Sequence, residues 1–183
     1  VAALNLDGEP GNEIVLVDLG IKKLRVLKKE GSLYKNWKEV ELGSFPFKST
    51  RVKDLNGDGQ DDLLLFGAGR FAILYAGQTA PVLEELGTFE SKLENTFFAD
   101  VVAGDLNGDS KPDIVLIDTR SHYVQIVNYS PKHGLRHALH FKVFETKSFS
   151  GEEDSGSEPR ESLIVDVTGD GRADLVLLAH DRV

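Results

Sequence analysis

The sequence predicts an all-β protein built from repeated four-stranded antiparallel units. An acidic loop recurs along the chain, and each copy is followed at once by a short apolar segment. Glycine-containing turns separate the remaining short apolar runs, and no convincing amphipathic helix is present. Four short strands in a repeat of about 40 to 50 residues are typical of a β-propeller blade. We therefore predict a β-propeller segment.

The recurring loop is clearest in its second copy, residues 54–62. Oxygen-bearing side chains stand at loop positions 1, 3, 5 and 9, namely Asp54, Asn56, Asp58 and Asp62. A hard cation such as calcium takes roughly six to eight oxygen ligands, and the backbone carbonyl of Gln60 at position 7 can join them. Gly57 and Gly59 permit the left-handed backbone that a tightly curved loop needs. The pattern indicates a cation-binding loop.

Four copies of the loop divide the chain into repeats. The copies occupy residues 5–13, 54–62, 105–113 and 166–174, and their ninth positions are 49, 51 and 61 residues apart. The predicted repeats run over approximately 1–45, 46–95, 96–150 and 160–183, and the last is incomplete. They form one segment, 1–183, of about three and a half blades. The long last step contains an acidic, polar insert at 151–159, which we predict to be a surface loop.

Each repeat contains a series of predicted strands. In the first repeat these are Glu13–Val17, Leu24–Leu27 and Trp37–Leu42. In the second they are Arg51–Lys53, Leu63–Phe66, Phe71–Tyr75 and Val82–Phe89. The third has Val101–Ala103, Ile114–Ile117, Tyr123–Val127 and His140–Phe144, and the fourth has Leu175–Leu178. The strand after each loop is almost wholly apolar, which predicts burial on both faces because blades stack face to face.

Composition excludes several classes of protein. The net charge of −9 argues against a nucleic-acid-binding surface. The absence of cysteine excludes disulfides and zinc–thiolate sites. No apolar run reaches about 18 residues, so we expect no membrane insertion in this segment. The chain begins at Val1 and lacks methionine, so we interpret it as an excised piece. Further blades, or a second copy, are then expected to cover its open strand edge.

No catalytic constellation is identifiable. The motifs Gly-x-Ser-x-Gly, His-Glu-x-x-His and the phosphate-binding loop are absent. The run 133–140 contains three histidines, and we predict a surface loop there rather than a metal or acid–base site. Tyr34 and Trp37 lie near a predicted outer hairpin, where ordinary edge packing is favoured over a carbohydrate or protein contact. We predict that the segment is not an enzyme.

These repeats resemble FG-GAP repeats, also called VCBS-type repeats, of integrin α-subunit propellers and many bacterial surface or secreted proteins. The family motif is Asp-x-Asp/Asn-x-Asp-Gly-x-x-Asp, followed by a hydrophobic strand and a Gly-Ala-Pro turn. Phe66-Gly67-Ala68-Gly69 stands where that turn falls, with glycine in place of proline. The resemblance covers essentially the whole chain. It implies that each loop binds calcium between the first and second strands of a blade.

The resemblance also implies the ligand sets, with up to four calcium ions as the cofactor. The first loop offers Asn5, Asp7, Glu9, the carbonyl of Gly11, and Glu13. The second offers Asp54, Asn56, Asp58, the carbonyl of Gln60, and Asp62. The third offers Asp105, Asn107, Asp109, the carbonyl of Lys111, and Asp113. The fourth offers Asp166, Thr168, Asp170, the carbonyl of Arg172, and Asp174.

Some loop positions depart from the motif. Ser110 replaces glycine at position 6 of the third loop and is expected to strain the turn, and Thr168 is a weaker oxygen donor than asparagine. The first loop departs most, with Pro10 at position 6 and glutamates at positions 5 and 9. Each loop brings three carboxylates together, which is costly without a cation. Four divalent ions would change the net charge from −9 to −1.

Two functions remain open at this point. The first is a calcium-binding β-propeller scaffold or interaction module that mediates protein or glycan binding, or adhesion. It would work outside the cytoplasm: extracellular, at the cell surface or periplasmic. The second is a non-catalytic or accessory part of a secreted polysaccharide-degrading enzyme. A calcium-dependent melting shift without turnover would favour the first, and turnover on polysaccharides would favour the second.

Overall fold

The computed structural model describes residues 1–94, 96–143, 159 and 161–179. This part of the chain contains fourteen β-strands and no helix, so the all-β prediction is confirmed. It accordingly has no helix long and apolar enough to cross a membrane. The chain divides into two compact units, Val1–Phe89 and Glu90–Val183.

The first unit contains two four-stranded antiparallel sheets in which each strand pairs with the next along the chain. The first sheet consists of β1 (Ala2–Leu4), β2 (Glu13–Asp18), β3 (Lys23–Glu30) and β4 (Leu33–Glu41). The second consists of β5 (Phe47–Lys53), β6 (Asp62–Gly67), β7 (Arg70–Leu74) and β8 (Glu84–Thr88). This order without crossovers is that of propeller blades, as predicted.

One hydrophobic core joins the two sheets of the first unit. Leu4, Val15 and Leu24 of the first sheet belong to the same buried cluster as Leu63 and Leu65 of the second. Every residue of β6 is buried, which agrees with its apolar sequence and confirms the prediction for this strand. Strand β2 alternates between buried and partly exposed residues at its start. The sheets are therefore packed layers of one unit.

The turn between β6 and β7 requires glycine at Gly67. A Cβ atom at this position would lie 2.5 Å from the backbone oxygen of Pro46, well inside contact distance. Gly69 has a φ of +64°, a conformation that side-chain-bearing residues rarely adopt. Gly67 is thus required because the backbone of Pro46 lies too close for a side chain, and Gly69 because of its left-handed backbone conformation.

The second unit contains one complete sheet and a hairpin. The sheet consists of β9 (Phe98–Gly104), β10 (Asp113–Asp118), β11 (Tyr123–Ser130) and β12 (Gly134–Lys142), and β13 (Glu161–Val165) pairs with β14 (Asp174–Leu178). Strand β10 is buried throughout, and Ile164 packs into a cluster with Val115 and Val124. Most of the predicted insert at 151–159 and the end of the predicted strand at Phe144 lie outside the described residues.

The prediction of a surface loop at residues 133–140 is wrong, because most of this run belongs to β12. The pairing of β12 with β11 shifts between Ile126 and Val127, so that Ala138 is the extra residue of a β-bulge. A bulge resets the alternation of side chains. As a result His137 and His140 lie side by side, with Nε2 and Nδ1 3.0 Å apart. Burial and the positive charges of His140 and Lys92 lower the pKa of His137.

Candidate metal-binding loops

All four acidic loops occupy the same place in their sheets. They connect β1 to β2, β5 to β6, β9 to β10 and β13 to β14. Each therefore lies between the first and second strands, as the resemblance implied. The recurrence in sequence is thus also a recurrence in structure.

The second loop is held in shape by its own side chains. Both carboxylate oxygens of Asp54 accept hydrogen bonds, from the backbone N–H of Gly57 and of Gly59, each at 2.8 Å. Asn56 Oδ1 accepts the N–H of Asp58 at 3.0 Å, and Asp58 Oδ1 accepts the N–H of Gln60 at 2.8 Å. Gly57 and Gly59 have φ of +78° and +83°, which confirms the expected left-handed conformations. These bonds turn alternate side chains toward the inside of the loop.

The third loop repeats this arrangement. Asp105 accepts the N–H of Gly108 at 2.7 Å and of Ser110 at 2.8 Å. Asn107 and Asp109 each accept the N–H two residues further on, at 2.9 Å. Ser110 has a φ of +58°, so the expected strain at this position is confirmed.

The fourth loop follows the same plan with a hydroxyl at position 3. Asp166 accepts the N–H of Gly169 at 2.6 Å and of Gly171 at 2.8 Å. These backbone hydrogen bonds lower the pKa of Asp166. Asp170 accepts the N–H of Arg172 at 2.9 Å. In three loops from both units, the carboxylates at positions 1 and 5 therefore accept the same backbone hydrogen bonds, whereas the hydroxyl of Thr168 at position 3 donates to Asp166 and Asp174.

The ninth position ties each loop back to its own start. Glu13, Asp62, Asp113 and Asp174 each accept the N–H of loop position 2, at distances of 2.8 to 3.0 Å. Asp62 and Asp113 are almost fully buried. Burial raises the pKa of both carboxyls, and the charges of Asp54 and Asp58, or of Asp105 and Asp109, raise it further. Negative charge is thus concentrated at the base of these loops.

The first loop has different internal contacts. Asn5 Oδ1 accepts the N–H of Gly8 at 2.7 Å, but its Nδ2 donates to the backbone oxygen of Glu9 at 2.7 Å. The Lys28 ammonium, from strand β3, donates to Asp7 Oδ2 and, at 2.7 Å, to Glu9 Oε2. Two of the three carboxylates that the resemblance assigned to calcium are therefore paired with a lysine.

The donor chemistry of the second, third and fourth loops fits a hard cation. Each offers carboxylate oxygens with an amide or hydroxyl oxygen, and a carboxylate that accepts one N–H retains free lone pairs. Within the described residues, no three histidine, aspartate or glutamate side chains are grouped closely enough to form a metal site by themselves. Coordination would therefore have to be completed by amide, hydroxyl, backbone and water oxygens.

Sequence reasoning missed three partners of the loops. Lys28 reaches the first loop from β3, and the backbone N–H of Ala76 donates to Asp62 Oδ1 at 2.9 Å. Asn128 Nδ2, on β11, donates to Asp113 Oδ1. These contacts join residues 14 to 21 positions apart. The spacing of the acidic motif contains no signal for them, because they depend on the register of the following hairpin.

Two clefts border the loops of the first unit. One, of about 580 Å³, is lined by residues of both the first and second loops, among them Asn5, Gly8 and Gln60. The other, of about 330 Å³, is lined by Asp7, Lys28 and Trp37 together with residues 77–79. Lys38 Nζ lies 4.2 Å from the centre of the Trp37 ring and donates to the backbone oxygen of Thr79. The clefts are mainly polar in the residues that line them.

Together these features define a protein of repeated four-stranded antiparallel sheets, each with an acidic loop between its first two strands. Comparison with protein families supports a narrower assignment for part of the chain. Residues 54–116 match the model of the FG-GAP-like repeat, so this segment is an FG-GAP-type repeat. The match begins at the second loop and includes the third. No curated protein matches the chain.

Proposed function

We propose that this chain is a calcium-stabilised interaction module in which bound calcium fixes the turn between the first two strands of a sheet. The observation that carries the proposal is the shared hydrogen-bonding scheme of the second, third and fourth loops. In each, the carboxylate at position 1 accepts the N–H groups that order the loop, and positions 5 and 9 add two more carboxylates. Repulsion between like charges within one short loop favours a bound cation.

The ligands of the proposed sites are the loop side chains themselves. In the second loop they are Asp54, Asn56, Asp58 and Asp62, with the carbonyl of Gln60. Their hydrogen bonds to backbone N–H groups preorganise them, so that little ordering remains to be done on binding. When bound, calcium would supply positive charge to the buried carboxylate of Asp62.

The proposed location is outside the cytoplasm, at a cell surface, in the periplasm or secreted. Extracellular calcium is millimolar, and weak sites with Kd of about 10⁻⁴ to 10⁻³ M are typical of extracellular modules. A site adds about 2.7 kcal/mol to the free energy of unfolding when free calcium is roughly 100 times its Kd, and less when calcium is nearer to Kd.

The proposed partner is a protein or a glycan, and the proposed role is binding or adhesion rather than catalysis. An FG-GAP-type repeat, as matched at residues 54–116, is typical of non-catalytic interaction modules of the extracellular type. The two polar clefts beside the loops of the first unit are where we would look first for a ligand contact.

Thermal unfolding with and without calcium tests the proposal. We expect the melting temperature to fall by several degrees in chelator and to recover on addition of calcium, with magnesium as the matched control ion. Isothermal titration calorimetry should give the number of sites. An unchanged melting temperature in chelator, with no heat of calcium binding, would refute the proposal.

A further inference from the structure

The first loop receives a lysine from strand β3 that is directed into its carboxylates. Lys28 lies on β3, one residue beyond Leu27, which pairs with Ile14 of β2. The equivalent residue of the complete sheet in the second unit is Asn128, which pairs with Asp113. In the second sheet, Leu74 pairs with Leu63, so the equivalent position is Tyr75. Lysine at this position is thus specific to the first of the three complete sheets.

The ammonium group of Lys28 has two carboxylate acceptors, one on the partly buried Asp7 and one on the exposed Glu9. It contacts one oxygen of Asp7 and one of Glu9, and it lies 5.3 Å from the centre of the Trp37 ring. The Asp7 side chain is 13% exposed and that of Lys28 is 27% exposed. Such partly buried, charge-assisted hydrogen bonds are stronger than those of an exposed surface pair. The contact with an aromatic face adds further attraction for a cation.

Lys28 offsets part of the negative charge that Asp7, Glu9 and Glu13 bring to the first loop. The hydrogen bonds from Lys28 lower the pKa of Asp7, and those to Asp7 and Glu9 raise the pKa of Lys28. Asp7 and Lys28 therefore both remain charged at neutral pH. In the second and third loops, burial and then the neighbouring carboxylates raise the pKa of the ninth residue.

Two other substitutions in the first loop agree with this difference. In the second, third and fourth loops an aspartate at position 1 accepts the N–H of position 6. Position 6 of the first loop is Pro10, which has no N–H to donate. Position 1 is Asn5, whose Oδ1 still accepts the N–H of Gly8 but whose Nδ2 donates to the backbone oxygen of Glu9. The first loop thus keeps its shape without the carboxylate that begins the others.

We propose that Lys28 is the resident cation of the first loop, which therefore folds without metal and leaves three calcium-dependent loops in the chain. This inference rests on the proposed calcium function only for the count of three. The role of Lys28 itself is independent of that function. The longer glutamate at position 5 suits it, because a side chain with one more methylene group can meet an ammonium group arriving from the next strand.

The test uses Lys28→Met, which keeps the length of the side chain and removes its charge. In chelator, we expect its melting temperature to lie roughly 2–8 °C below that of the wild type. Calcium should recover part of this loss, and calorimetry should detect one binding site more than in the wild type. Lys28→Arg should behave like the wild type in both measurements. Lys35→Met is the control for loss of a positive charge on the neighbouring strand, because Lys35 lies opposite Lys28 in the pairing of β3 with β4 and bonds the exposed Glu30 instead of Asp7 or Glu9.

Other variants keep the proposal falsifiable if Lys28→Met folds poorly. Lys28→Met combined with Asp7→Asn removes one of the negative charges left behind and should restore part of the melting temperature. Asp7→Asn alone should leave the calcium stoichiometry of the wild type unchanged. The proposal is overturned if Asp7→Asn lowers that stoichiometry by one, or if Lys28→Met and Lys35→Met melt alike in chelator. A wild type that binds no calcium would refute the proposed function but leave the chelator comparison to decide the role of Lys28.

Discussion

The first and second loops lie in the same unit, at the same place in their sheets, but they balance their negative charge differently. The second loop gathers Asp54, Asp58 and the buried Asp62, and burial, together with the charges of the two other aspartates, raises the pKa of Asp62. The first loop pairs Asp7 and Glu9 with Lys28. The comparison suggests that a repeat can keep its fold while exchanging an external cation for an internal one. Under the proposed function, that exchange removes the response of this loop to calcium.

The largest expected effect is the loss of a bound calcium when the residue at position 5 is replaced in the second loop but not in the first. Asp58→Ala should remove one bound calcium and, at saturating calcium, lower the free energy of unfolding by about 2–3 kcal/mol. Asp109→Ala should do the same in the third loop. Glu9→Ala should leave the calcium stoichiometry unchanged and lower stability equally with and without calcium. Calorimetry and denaturant unfolding measure the two quantities, and a loss of calcium from the Glu9 variant would contradict the comparison.

A smaller effect is expected from placing a lysine in the third loop. Asn128 occupies the position of Lys28 and donates to Asp113. Asn128→Lys should therefore lower the calcium stoichiometry by one and reduce the shift in melting temperature between chelator and calcium. Asn128→Gln, which keeps an amide donor, is the control. If Asn128→Lys retains full calcium binding, a lysine at this strand position is not sufficient to replace calcium in a loop.

The pH dependence of the first loop gives a third comparison. Lys28 lowers the pKa of Asp7 below its ordinary value of 3.8. The pair therefore contributes stability that is fully present above pH 3.8 and is lost as the pH falls through the pKa of Asp7 in the folded state. In chelator, the difference in melting temperature between the wild type and Lys28→Met should shrink as the pH is lowered from neutral to below 3.8. A difference that stays constant would indicate a packing role for the lysine side chain.

The smallest effect is expected at Asp61, which is exposed and adjacent to the buried Asp62. Asp61→Asn removes a charge at position 8 of the second loop but none from its proposed ligand set. Its free energy of unfolding should stay within about 0.5 kcal/mol of the wild type. Calcium stoichiometry should be unchanged. Loss of one bound calcium would mean that Asp61 is a ligand and that the proposed ligand set of this loop is wrong.

Much of the fold was predictable from the sequence because the repeated pattern is local. Each acidic loop is a run of nine residues, and Leu63–Phe66 or Ile114–Ile117 follows immediately as a buried strand. The outer strands were predicted less well. Strands β4 and β12 begin earlier than expected, since their first residues are largely exposed and carry no alternating pattern.

The shape of the loops and the order of the strands could thus be predicted from the sequence alone. The residues that shape each loop are close together in the sequence. The position of Asp54 relative to Gly57 and Gly59 is set within one turn of chain. The pairing of Lys28 with Asp7 was decided only by the tertiary structure. It spans 21 residues and depends on the register of β2 with β3. A shift of one residue in that register would turn the lysine to the opposite face of the sheet, away from the loop.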